Sequence, residues 1–171
     1  MARSAGFTVG LAVGIILVVL LLKFANTNHK KETEYDERQK AIRGRGYMFA
    51  FYTMMIYEAI MIFFGMSGVT LPVAPIAIHF TGIVLGGMVL ASYCVWKDAY
   101  WGLNNNLKRY AVVFLATAAL NAIPLISSVK SGGKLNLMDG PILNLICLVM
   151  LGVLGVEFLV KYLKDKDGAE E

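Results

Sequence analysis

Histidine and cysteine are scarce in this chain, two of each in 171 residues, and neither pair is spaced for chemistry. Cys94 and Cys147 lack CxxC spacing and fall inside long apolar runs, where a thiol behaves as a small buried hydrophobe. His29 and His79 stand far apart with no HExxH-type partner on a helix face, so no metal, redox relay or cofactor is expected. Charge is scarce too: 16% of residues are charged, against about 25% in an ordinary soluble domain. No connection is long enough for a folded soluble domain, and the modest net charge of +4 does not call for nucleic acid.

What the chain has in quantity is apolar residues, 57% of the total. They gather into five runs of the roughly 20 residues a helix needs to cross a ~30 Å hydrocarbon layer. The runs are about 6–25, 47–66, 74–96, 109–129 and 141–163. Stretches such as LAVGIILVVLLL and NLICLVMLGVLGV are apolar on every face, unlike the alternating strands of a membrane barrel. The expected class is all-α: one polytopic membrane domain over residues 1–171, a bundle of five transmembrane helices with a short cytoplasmic interfacial helix. Lys23, two residues before Ala25, spoils the pattern of a signal cleavage site, so the first run is expected to be an uncleaved anchor.

Of the sixteen basic residues, only Arg3, Lys130 and Lys134 fall on one side of these spans; the other thirteen fall on the second side. Basic residues resist translocation, so the N-terminus is expected outside and the C-terminus in the cytoplasm. The loop 26–46 and a solvated tail 164–171 are then cytoplasmic, facing anionic lipid headgroups. Trp96, Tyr100 and Trp101 suit that same interface.

Glycine supplies a packing signal. Gly6, Gly10 and Gly14 repeat every four residues, and Gly82 and Gly86 do the same in the third run; small-xxx-small spacing lets helix backbones approach closely in lipid. Whether these contacts lie within one chain, with a membrane-protein partner or in a homo-oligomer stays open. Pro124 is expected to kink the fourth run near Asn121, and Asp139-Gly140-Pro141 reads as a helix start.

The polar loop ends in EYDERQKAIRGRGY, Glu34 to Tyr47. Thr33 with Asp36 forms an N-cap pattern, Glu34–Arg38 and Asp36–Lys40 are helpful i,i+4 pairs, and Gly44 can close a short helix with a left-handed cap. Tyr35, Asp36, Glu37, Arg38, Gln39, Arg43 and Arg45 are the candidates for partner or lipid contact. YDERQ, then IRGRGY, then an aromatic-rich span resembles a group of uncharacterised small multi-pass membrane proteins of Gram-positive bacteria. The resemblance rests on Tyr35 to Phe51 and on the general layout after it. It implies a bacterial cytoplasmic membrane location and carries over no catalytic residue.

One carboxylate, Glu58, falls near the middle of a span, where an ionisable group is costly and therefore a functional candidate. At ~1.5 Å per residue, Glu58 and Asn121 lie about 12 Å below the outer ends of their spans, His79 about 8 Å and Asn144 about 5 Å. His79 shares a stripe with Gly82 and Gly86, Asn121 with Thr117, and Asn144 with Gly152, as in a bundle interior. Glu157, four residues before Lys161, reads as a wetted pair. These four polar residues form either a helix tie or a proton- or cation-handling site. The leading expectation is a non-enzymatic accessory membrane protein that docks a partner. A small transporter or channel using Glu58 is the alternative, and an intramembrane enzyme comes last because no nucleophile–base pair or metal set is recognisable.

Overall fold

The computed structural model describes residues 34–102, 107–130 and 141–167, together with Ile16, Val19 and Leu20. Within them run four helices: α1 Glu37–Met66, α2 Pro75–Trp96, α3 Leu107–Lys130 and α4 Pro141–Asp167. All four are long and apolar enough to cross a membrane, and no strand occurs among the described residues. The expected first span, with Gly6, Gly10 and Gly14, lies outside the described residues apart from Ile16, Val19 and Leu20, which are helical.

α1 departs from the expectation in a way that matters. Residues 37–46 and the span beginning at Tyr47 form a single 30-residue helix, so Gly44 does not end anything. Its cap is Asp36 rather than Thr33: the Asp36 carboxylate accepts from Gln39 N at 2.7 Å, and Gln39 Oε1 accepts from Asp36 N at 3.3 Å. This reciprocal capping box satisfies two otherwise orphaned donors. A glycine inside a helix costs about 1 kcal/mol, but Gly46 recovers it by packing. A Cβ there would lie 2.9 Å from Leu90 Cδ1 and 3.2 Å from Cys94 Sγ, so a larger residue would have to displace the α2 side chains that now pack against this point.

Both α1 and α2 stop in the same way. Val69 N donates to Phe64 O and Gly68 N to Gly65 O, with Gly68 at φ +71°. Ala99 N donates to Cys94 O and Asp98 N to Val95 O, with Asp98 at φ 56°. These are Schellman closures, which need a left-handed residue after the cap; glycine adopts it freely and aspartate at some cost. Proline opens α2 and α4, where its missing N–H is no loss. Pro124 sits inside α3, which continues through it. α4 runs on to Asp167, so the first part of the expected tail is helical.

α1 packs on α2, α2 on α4, and α4 on α3. The start of α1, the end of α2, the start of α3 and the end of α4 therefore share one end of the bundle. Val95, Tyr110, Ala111 and Phe158 form the core at that end, with Tyr100, Trp101 and Phe114 around them. Ala74, Ala77 and Ile142 close the opposite end.

Candidate functional site

The charged stretch ahead of the second run does not hang free. It lies across the turn that follows α2 and binds that turn's backbone. Gln39, 7% exposed, donates from Nε2 to Asp98 O at 2.9 Å and to Trp101 O at 3.2 Å. Arg38 Nη2 donates to Lys97 O at 3.1 Å, Tyr35 Oη to Tyr100 O at 3.2 Å, and Arg43 Nη1 to Ala99 O at 3.4 Å. The Arg43 guanidinium also lies 4.3 Å from the Tyr35 ring centroid, a stacked cation–π arrangement. Carbonyls just past a helix C-terminus carry partial negative charge, so cationic and amide donors suit them.

Asp98 is the centre of this clamp. Its left-handed backbone offers the carbonyl to Gln39, while its Oδ1 pairs with Lys161 Nζ at 2.9 Å. Lys161 is shared with Asp165 at 2.8 Å. Through one residue, α1, the 97–101 turn and α4 are tied together. Lys161 was expected to pair with Glu157 instead, whose Oε2 is buried and has no hydrogen-bond partner among the described residues. Asp36–Lys40 is likewise replaced, since Lys40 pairs with Glu37 at 2.7 Å and Asp36 is spent on the cap.

Tyr100 and Trp101 pack inward on the aromatic core. Tyr100 stacks 5.0 Å from Phe158, 5.8 Å from Tyr110 and 6.3 Å from Phe114, and Trp101 lies 6.4 Å from Phe158. Removal from water pushes the Tyr100 phenol well above its ordinary range, so it stays neutral and acts as packing. Trp96 remains exposed.

In the second half of α1, Glu58 meets His79 of α2, Oε2 to Nδ1 at 2.9 Å. Tyr57 beside it donates to Ile78 O at 2.9 Å. Gly82 makes room for both: a Cβ there would come 2.7 Å from Tyr57 Cδ1 and 2.9 Å from Glu58 Oε1. At Gly86 a Cβ would lie 2.5 Å from Met54 Cγ. Beyond His79 a groove of about 180 Å³ opens, lined by apolar side chains including Met61, Ile62, Phe64, Leu71 and Pro75.

The four-residue polar cluster read from depth is divided. Asn121 donates to Thr117 O at 2.9 Å within α3, and α3 does not touch α1 among the described residues. Asn144 sits half-buried on α4, which also does not reach α1. Equal depth places residues in one layer without placing them side by side.

The clamp's acceptors were missed because backbone carbonyls have no sequence signature. Asp98 and Lys161, sixty-three residues apart in sequence, offered none either. The expectation that no GxSG, the spelling of intramembrane serine proteases, occurs in the chain is corrected by Gly65-Met66-Ser67-Gly68. Here Ser67 caps the end of α1, its hydroxyl donating to Phe63 O at 2.8 Å, and Gly68 supplies the left-handed turn. No family model, curated protein or solved structure matches this chain.

Proposed function

We propose that this chain is a non-enzymatic accessory subunit of a bacterial cytoplasmic membrane, N-terminus outside and C-terminus inside, which docks a membrane-protein partner at its charged rim. The observation that carries the reading is the clamp. Gln39, Arg43 and Tyr35 fix the start of α1 to the 97–101 turn, so Glu37, Lys40 and Arg45 stand exposed on a rigid support. A preorganised charged surface recognises a partner at low ordering cost. The thirteen-to-three distribution of basic residues supports the orientation, and anionic headgroups are the rim's other neighbours.

The double reversal Lys40→Glu with Arg45→Glu avoids every clamp contact. It is expected to leave thermal stability unchanged and to abolish a crosslinked partner that recurs in purifications of the wild type from native membrane. Capture of the same partner in undiminished yield by the variant would end this reading.

A second reading, a small proton- or cation-linked transporter, is favoured by the Glu58–His79 pair. As a structural tie, Glu58→Gln keeps shape and hydrogen-bonding capacity and is expected to be silent. Glu58→Leu is expected to lose about 0.6 kcal/mol, the usual worth of an interhelical hydrogen bond in lipid. Stability in detergent and proton-coupled flux in liposomes separate the two. Lost flux at unchanged stability in Glu58→Gln would move the assignment to transport.

A further inference from the structure

The hydrogen bond between Glu58 and His79 uses only one side of the imidazole. An ionised carboxylate can only accept, so Nδ1 carries the proton and the lone pair lies on Nε2. Nε2 has no hydrogen-bond partner among the described residues. The His79 side chain is 65% exposed and borders the groove of about 180 Å³ between α1 and α2. A ring nitrogen held free by a carboxylate on the other nitrogen is how proteins present a metal-ligating histidine.

Met61 borders the same groove. It stands three residues after Glu58 on α1, hence on the same face of the helix. Long side chains on a helix lean toward its N-terminus, so the Met61 thioether reaches back toward the level of Glu58 and His79. No group of three or more His, Cys, Asp and Glu occurs among the described residues, so the donor set of a zinc or magnesium site is not found there. A thioether beside an imidazole is a different set: soft, small in number and selective for Cu(I). Charge points the same way. The other side chains lining the groove are apolar, and the single carboxylate of Glu58 balances a single positive charge. A divalent ion would leave net charge against an apolar wall, which is costly.

We propose that His79 and Met61 bind a soft monovalent ion, Cu(I) or its analogue Ag(I), at the mouth of this groove. His79 Nε2 and the Met61 sulfur are the ligands. Glu58 is the positioning residue, which orients the imidazole and balances the charge of the ion. Spacing of the two histidines gives no hint of the site, because the second ligand is a methionine on another helix. Binding of this kind needs neither a docked partner nor transport.

The test titrates Ag(I), a redox-inert mimic of Cu(I), into the full chain in detergent, with Cys94→Ala and Cys147→Ala as background because thiols bind the same ions. One equivalent is expected to bind and to raise the melting temperature, as a ligand of the folded state does. His79→Gln and the volume-conserving Met61→Leu are each expected to weaken binding at least about tenfold, and Glu58→Gln about 10–100-fold. Met55→Leu, 55% exposed and outside the groove, is the control and is expected to bind as the background does. X-ray absorption of the Cu(I)-loaded background requires no variant to fold, and mixed nitrogen and sulfur ligation is expected. Sulfur ligation alone would assign the ion to scattered methionines and overturn the proposal. Absence of saturable binding, binding insensitive to His79→Gln or Met61→Leu, an equal loss in Met55→Leu, or displacement of Ag(I) by excess Zn(II) would overturn it too.

Discussion

Replacing Gln39 by Glu is expected to destabilise the protein by roughly 1–3 kcal/mol, the cost of leaving buried polar groups unpaired. Local helix rules point the opposite way. Glu is the preferred capping-box partner at this position, and a negative charge in the first turn suits the helix dipole. The carboxylate would keep the contact that Gln39 Oε1 makes with Asp36 N, but its other oxygen would face Asp98 O and Trp101 O where an amide now donates at 2.9 and 3.2 Å. Two hydrogen bonds become oxygen–oxygen contacts in a buried place. Thermal melts in detergent read the sign: a stabilised Gln39→Glu variant would mean that the clamp contributes nothing and that capping alone governs the start of α1.

Gly86→Val is expected to be the second large effect, with Gly87→Val as its neighbour and control. At Gly86 the first added carbon meets Met54 Cγ at 2.5 Å and Ala50 O at 3.2 Å, whereas at Gly87 nothing lies within 4 Å. Met54 can move aside, but a backbone carbonyl moves only with its helix. The valine therefore forces α1 away from α2, a cost of about 1–3 kcal/mol for overpacking. The Gly87 variant adds the same side chain to the same helix at the same depth and is expected to be near neutral. Equal melting of the two variants would show that close packing at this seam does not support the bundle.

The long apolar helices were legible because a twenty-residue apolar run has one stable form in hydrocarbon, and α2, α3 and α4 begin and end within a few residues of the runs. The continuous α1 was not legible. Gly44 reads as a stop, yet the helix runs through it and through Gly46, where packing against α2 offsets a preference worth about 1 kcal/mol. Depth counting put Glu58 and His79 in one layer, and they meet because α1 and α2 are sequence neighbours joined by a short turn. The same count also drew in Asn121 and Asn144, since nothing in a rise per residue reports which helices touch. The clamp was half visible: its donors stand in a conspicuous charged motif, but its acceptors are main-chain atoms whose position depends on Asp98 taking a left-handed conformation.

The unbroken α1 also makes the charged rim and the Glu58–His79 pair parts of one lever. Gln39, its fulcrum, and Glu58 are nineteen residues apart on the same helix, about 28 Å along the axis. A tilt of ~10° about the clamp would carry Glu58 sideways by roughly 5 Å over that arm, well beyond the reach of its hydrogen bond to His79. Had the chain broken at Gly44, a load on Lys40 would have been absorbed in the hinge. With no hinge, whatever leans on the rim leans on the Glu58–His79 pair as well.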